Sequence, residues 1–480
     1  MRSTDPVVAA SMPLTRSSHD LWHIPVTEIP TSSHHHRLRR GGHPADAPLP
    51  ATRHPPVRRR TFLDGFDLTV IAVALPLIKD EWHITALQQS IIVSAALVGS
   101  LIGALWLGHL TDRHGRKAMY VIDLLGFVVF GALTAFAPSV LWLIIFRFLL
   151  GLGIGADYPI SATLVSEFSS NKRRGMHSTS LAAFWFVGSV FAYIVGLIVA
   201  PMGDLAWRAM LLVGAAVALV VFFMRIKLPE SPRWLIAHGR EEDAREVMHR
   251  VTGLQVAEHI KLVVPEAVPA RKLFTPRFLK RTIFTCGFWF CYSTAYYAIS
   301  MYTPTILAPF TKGDRTANIV GSGVVAIIGL IGSIIGMNTV DRWGRRPLII
   351  TSFAGLTISL AIIGVNTSPS LGFLIVLFSS AVLFANAGGG ILNFVYPVEL
   401  FPTNIRATAS GLATSVSRFG SILGVLVFPN VVKAWGQNSA IWIFAAVGAL
   451  GTIICIALAP ETKNRTLEEL NPEPGEPAHV

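Results

Sequence analysis

The sequence predicts an all-α membrane protein of twelve transmembrane helices in two pseudo-symmetric six-helix bundles. Three observations predict it. The 480 residues are 52% hydrophobic and 14% charged, with a mean hydropathy of +0.55, whereas soluble domains carry about 25% charged residues. From Phe62 onward twelve apolar segments follow one another, each approaching or exceeding the ~20 residues that cross a bilayer as a helix. Finally, three charged motifs recur in the same order at almost one offset along the chain.

Residues 1–60 are rich in Pro, His and Arg and hold no apolar run long enough for a signal peptide or a core. They are expected to be a disordered cytoplasmic tail or a misassigned start, and His34, His35 and His36 are read as incidental. The apolar segments then cover 62–79, 88–110, 118–137, 140–164, 178–200 and 207–226, and, after a gap, 281–306, 317–340, 347–366, 371–396, 409–432 and 438–459. An even number of spans puts both termini on one side. One set of short loops holds Arg113, Arg116 and Lys117, then Lys172, Arg173 and Arg174, then Arg342, Arg345 and Arg346. The opposite set is poorer, with Lys79, Arg208, Lys312, Arg315 and Lys433. Basic loops stay in the cytoplasm, so the first set and both termini are placed there. The expected organisation is a first bundle at 61–226, a cytoplasmic central loop at 227–280, a second bundle at 281–460 and a cytoplasmic tail at 461–480. Within the central loop, "EEDAREVMHRV" reads as a short amphipathic helix.

The net charge of +12 does not indicate a nucleic-acid partner, because the basic residues sit in short loops between apolar runs and form no aromatic-interleaved face. Cys286, Cys291 and Cys455 lie within apolar runs at spacings that match no metal or redox motif. No nucleotide loop, catalytic triad or metal cluster stands out, and the lone "GLGIGA" belongs to a spanning segment instead of following a strand. An enzyme and a bound cofactor are therefore not expected; the driving force assigned is a proton gradient.

The repeats are specific. "GHLTDRHGRK" at 108–117 returns as "GMNTVDRWGRR" at 336–346, "SEFSSNKRRG" at 166–175 as "VELFPTNIRA" at 398–407, and "LPESPRWL" at 228–235 in part as "APETKNRTL" at 459–467. Asp112 and Asp341 are 229 positions apart, Glu167 and Glu399 232, and Glu230 and Glu461 231. Two homologous halves follow. These motifs resemble the major facilitator superfamily over nearly all of 61–470, and "PESPRWL" and "PETKNRTLEEL" resemble its sugar-porter-like clan, which includes phosphate:proton and aromatic-acid:proton symporters. The resemblance implies gating by Gly108, Asp112, Arg113, Gly115 and Arg116 with Glu167 and Arg174 in the first half. Asp341, Arg342, Arg345, Glu399 and Arg406 take those roles in the second.

Charges inside spans are costly and mark a pathway or a paired site. Asp64 and Asp67 open the first span, Arg147 and Asp157 lie on the fourth, and Arg418 lies on the eleventh. Asp157 is ten residues beyond Arg147, about 15 Å along a helix and turned away from it; Arg147 is read as a relay or structural partner. "GADYPISATLVSE" resembles the fourth-helix signature of phosphate:proton symporters, which implies proton coupling for Asp157. "DGFD" resembles the first-helix signature of aromatic-acid:proton symporters, with Asp67 the stronger candidate for a proton or substrate role. Because Arg58, Arg59 and Arg60 precede it closely, the first helix is expected to be short, with Asp64 at the cytoplasmic interface and also assigned to proton coupling. Arg418 falls about 13 Å into its helix, and a guanidinium there suits a carboxylate or phosphate.

The pocket residues narrow the solute. Against the hexose-porter pattern, Cys286 and Gly287 stand where sugar-binding glutamines belong, Tyr292 where an asparagine belongs and Phe394 where a tryptophan belongs. Against the phosphate pattern, Trp289 and Tyr297 fit, but Ser293 replaces an aspartate, Gly390 an asparagine, and Trp185 falls near a glutamine. What remains is an aromatic cavity of Trp185, Trp289, Tyr292, Tyr296, Tyr297, Phe394 and Tyr396 with Arg418 for charge, suited to a small carboxylate with an apolar body. The expectation is a monomeric, proton-coupled symporter of the bacterial inner membrane that imports a small organic anion by alternating access. Phosphate:proton or sugar:proton symport is the alternative within transport. A non-transporting sensor signalling through 227–280 is the alternative outside it.

Overall fold

A computed structural model of the chain describes residues 55–168, 174–225, 230, 232–252, 269–366, 368–465 and 467–470. The expectations for the tails, 1–54 and 471–480, and for the central loop at 253–268 lie outside the described residues. Six long helices come first: α1 (Pro55–Trp82), α2 (Ala86–His114), α3 (Arg116–Ala135), α4 (Val140–Phe168), α5 (Arg174–Val199) and α6 (Ala206–Arg225). The short α7 (Pro232–Ala237) and α8 (Glu241–Thr252) follow, α8 where an amphipathic helix was expected. The second set comprises α9 (Pro276–Leu307), α10 (Arg315–Trp343), α11 (Arg345–Val365), α12 (Leu371–Ala387), α13 (Gly389–Leu392), α14 (Tyr396–Glu399), α15 (Thr403–Trp435) and α16 (Gln437–Leu458), with a terminal turn, α17 (Leu467–Leu470). Segments α12 to α14 together correspond to the tenth apolar segment, so the described residues form twelve long helical segments in two sets of six. No strand occurs among the described residues.

Pairings in the first set return in the second. α1 packs on α5, α2 on α4 and α3 on α6; correspondingly α9 packs on α15, α10 on α12 and α11 on α16. The two sets meet through α5 with α10 and α2 with α15, again a symmetric exchange, and through α1 with α9. Glycines set the crossings that frame the centre. A Cβ on Gly65 would fall 1.9 Å from the Trp185 carbonyl oxygen, and one on Gly188 2.0 Å from that of Phe62. The α1 and α5 backbones therefore touch, as small residues allow in membrane helices. In the second half Gly424 sits against Thr294 in the same manner, with a Cβ falling 2.2 Å from its carbonyl oxygen.

Two elements differ from expectation. The first helix is not short: α1 runs 28 residues, passing through Arg58–Arg60 at one end and Lys79–Trp82 at the other. Arginine is a good helix former, so the basic triplet prolongs the helix instead of ending it. Asp64 is consequently part of a long helix and packed against protein, 0% exposed. The tenth span is not one helix over 371–396 either. It breaks at Gly388 (φ −125°, ψ −69°) and again before α14. Three consecutive glycines and then Pro397 weaken the hydrogen-bond ladder there, and a broken helix is tolerated where it is buried in protein.

Candidate functional site

A narrow cavity lies between the two sets of helices. α5 contributes Trp185 and Phe186, α9 Trp289, Tyr292, Ser293, Tyr296 and Tyr297, α13 Gly390, and α15 Ser417 and Arg418. Asn393 and Phe394 line it from the second break in the tenth span. The seven residues predicted for substrate contact, Arg418, Trp185, Trp289, Ser293, Tyr297, Gly390 and Phe394, thus converge on one space.

Local packing explains why. The α1–α5 glycine contact brings Trp185 beside Gly65, and the ring then meets Tyr296 and Tyr297 edge-on at 6.1 and 6.3 Å. Tyr292 stacks on Tyr296 at 5.3 Å and donates its hydroxyl to Asn386 Oδ1 at 3.1 Å. That orientation needs Gly390, where a Cβ would stand 2.8 Å from the Tyr292 hydroxyl. Arg418 is 5% exposed, and its Nη1 donates to the Tyr297 hydroxyl at 3.3 Å. Tyr396, grouped with these rings in the sequence, instead packs on Phe284 and Phe288 and donates to the Pro460 carbonyl, away from the cavity.

The carboxylates divide. Asp67 pairs with Arg147: Nη2 to Oδ2 is 3.3 Å and Nη1 to Oδ1 3.4 Å, with both side chains buried. This tie between α1 and α4 fulfils the structural-partner reading of Arg147. Asp64, one turn earlier on α1, interacts electrostatically with Tyr297, the residue that also holds Arg418. The side chain of Asp157 lies outside the described residues. Sequence reasoning missed Asp123 on α3, a buried carboxylate whose Oδ1 occupies the place a Cβ on Gly153 would take. An aspartate within a spanning run was the available signal.

Beyond Phe186 and Tyr296 lies a second narrow cavity, lined among others by Thr69, Ser189, Ser300, Thr303, Ser322 and Asn386. It has no charged lining residue. It lies towards the α9–α10 connection, where Arg315 reaches Asp80 at 3.5 Å and Asp204 at 4.0 Å across the two sets.

At the opposite end the repeated motifs build one device twice. Gly115 (φ 93°) and Gly344 (φ 96°) precede α3 and α11. Each helix start is then capped by a distant carboxylate: Glu230 accepts the Lys117 N–H at 3.0 Å, and Glu461 accepts those of Arg345 and Arg346 at 3.0 and 3.1 Å. A carboxylate at a helix start satisfies orphan donors and complements the dipole. Burial alone would raise the Glu461 carboxyl, but its hydrogen bonds from the Arg345, Lys463, Arg346 and Thr462 amides outweigh this and hold it below the usual carboxylate range.

Among the predicted gating residues, Arg345 bridges Asp341 at 3.0 Å and Glu399 at 3.1 Å, and Glu399 also accepts from Thr462 at 2.5 Å. Arg342 enters through its carbonyl, which accepts from Lys463, and Arg406 donates to the Phe401 carbonyl at 3.2 Å. The side-chain assignments for Gly108, Asp112, Arg113, Arg116, Glu167 and Arg174 lie outside the described residues.

Two internally repeated sets of six membrane-length helices around a central polar-aromatic cavity define a polytopic membrane transporter. Residues 56–473 match the "Sugar (and other) transporter" family, and the chain belongs to it, within the major facilitator superfamily. It is therefore a multi-pass membrane transporter and not an enzyme. It is 34% identical over 409 residues to YaaU of Escherichia coli (strain K12), covering 85% of this chain and 91% of that protein. It is 30% identical over 419 residues to the niacin transporter NiaP of Acinetobacter baylyi, covering 85% and 93%. It is also 30% identical over 438 residues to the low affinity inorganic phosphate transporter 4 of Lotus japonicus, covering 81% and 83%. Among solved structures, the xylose transporter XylE from E. coli in a partially occluded inward open conformation superposes with a TM-score of 0.71 at 20% identity, over 85% of this chain and 98% of that one.

Proposed function

We propose that the chain is a proton-coupled symporter of the bacterial inner membrane that imports a small organic anion by alternating access, as a monomer with both termini in the cytoplasm. One observation carries the substrate class: Arg418 is buried in a cavity walled by tryptophan, tyrosine and phenylalanine rings between the two halves. A guanidinium stays charged in such a place and matches a carboxylate with paired donors, while the rings suit an apolar body. Asp64 supports coupling, because a carboxylate wholly buried within a spanning helix is costly and by default marks a pathway or paired site. Asp67, tied to Arg147, and Asp157 on α4 are the further proton carriers in this reading. The Arg345–Glu399 and Glu461 contacts, which tie the start of α11 to α14 and to the stretch after α16 within the second half, are cytoplasmic gating elements in this reading.

The pocket chemistry favours neither a sugar nor phosphate. Ser293 stands where phosphate binders place a carboxylate, and the helix-nine amides expected for a sugar are replaced by Cys286, Gly287 and Tyr292. The test is uptake into proteoliposomes under an imposed inward proton gradient, with labelled benzoate, nicotinate, phosphate and xylose. Benzoate or nicotinate is expected to accumulate, to collapse with a protonophore and to be lost in Arg418→Gln. Accumulation of phosphate or xylose alone, or transport that ignores Arg418→Gln, would overturn the reading.

A further inference from the structure

The central cavity holds a polar atom that the anion site does not use. Asn393 caps the C-terminal end of α13, in the break of the tenth span, and is 7% exposed. Its side chain lines the same cavity as Arg418, yet its Oδ1 is buried without a hydrogen-bond partner. Buried side-chain polar atoms are nearly always paired, and an orphan in a native interior calls for a physical reason. Here the reason is at hand. Asn393 stands in the break of the helix and lines the space between the halves, where no described neighbour supplies a donor to Oδ1, so a molecule entering the cavity, water or solute, has to do so.

We propose that Asn393 is the second recognition point of the cavity, accepting a hydrogen bond from an uncharged O–H or N–H group on the transported anion. The solute is then a carboxylate carrying a hydroxyl or similar donor on its apolar body, not a bare hydrocarbon acid. This rests on the reading that Arg418 holds the carboxylate. The two groups differ in kind: Arg418 offers charge and donors only, Asn393 an acceptor beside its own N–H donors. A site built to pair a substrate hydroxyl discriminates against the analogue that lacks it, because the analogue leaves the buried acceptor unsatisfied.

The experiment is equilibrium binding of benzoate and the three monohydroxybenzoates to the full chain in nanodiscs. At least one hydroxylated isomer is expected to bind roughly 5- to 100-fold more tightly than benzoate. Asn393→Leu is expected to erase that preference, so that the hydroxylated isomers and benzoate bind with the same affinity. Asn393→Ser, which retains a hydroxyl acceptor, is expected to keep part of it, and equal thermal midpoints establish that the variants are folded. A wild-type protein that does not discriminate, or a preference that survives Asn393→Leu, overturns the inference. So does tighter binding of nicotinate than of every hydroxybenzoate, which would mean that the amide presents its N–H to a ring acceptor. Arg418→Gln separates the two readings. If it abolishes all binding while the wild type fails to discriminate, only this inference falls; if it leaves binding intact, the anion reading falls with it.

Discussion

Asp67 and Arg147 are joined within the interior by two contacts of 3.3 and 3.4 Å, linking α1 to α4 across 80 positions of chain. Neither side chain reaches the cavity lining, so the pair's first consequence is mechanical. Removing one charge strands the other in a place it cannot be solvated. Asp67→Asn is expected to lower stability by about 3–5 kcal/mol, read as a fall in the thermal midpoint in detergent. The double change Asp67→Asn with Arg147→Met removes both charges and should recover most of that loss. If the pair also passes protons, the recovered double variant will bind anion but show no pH-driven accumulation.

That pair shows where the sequence is legible and where it is not. Spans, halves and the cytoplasmic motifs could be read because length, apolarity and a constant offset survive without knowledge of rotation. The azimuth of each helix could not. α4 is apolar on nearly all sides, so no polar face indicates where Arg147 points. The seven cavity residues were nevertheless recoverable, because aligned motif positions carry rotation implicitly. Asn393 escaped because neither porter pattern assigned a residue to that position, although Gly390 and Phe394 on either side of it were recovered; the second break, between α13 and α14, lets the consecutive residues 393 and 394 both line the cavity. The first helix was expected to be too short because the basic triplet was taken as a helix boundary when arginine continues the helix.

The cap on α11 should be sensitive to acid. Glu461 has a carboxyl held below its ordinary value of 4.5, so the unfolded or released state binds protons more readily than the capped state. The cap's contribution is complete above that ordinary value and is lost as pH falls through the depressed one. Amide exchange at Arg345 and Arg346, corrected for intrinsic rates, should therefore be slow at neutral pH and accelerate below about 4.5. Glu461→Gln should exchange faster at neutral pH and lose the pH dependence.

Gly344 cannot be replaced cheaply. Its φ of 96° and ψ of 166° lie where side chains are strained, and a Cβ would stand 2.5 Å from Glu461 Oε2. Gly344→Ala is expected to cost about 1–3 kcal/mol in backbone strain and to displace the cap, and Gly115→Ala to do the same before α3. Gly372→Ala, where a Cβ meets nothing within 4 Å, is the control and should leave the thermal midpoint unchanged.

Arg315 belongs to the second half, whereas Asp80 and Asp204 belong to the first, so its contacts exist only while that end of the molecule is closed. All three side chains are solvated, which limits the latch to about 1 kcal/mol or less. That is still enough to shift a two-state equilibrium by up to about 5-fold. Arg315→Ala should therefore leave the fold intact and raise the share of molecules open at this end. The hydroxyl-lined cavity lies towards this end, and Ser322 within it gives the readout. A thiol introduced by Ser322→Cys should react faster with a membrane-impermeant reagent when Arg315→Ala is also present. High salt should speed the reaction in the protein that retains Arg315 and change little in the one that lacks it, because screening and deletion remove the same attraction. Equal rates in all four conditions would mean that packing of α5 on α10 and α1 on α9 holds this end closed without the charges.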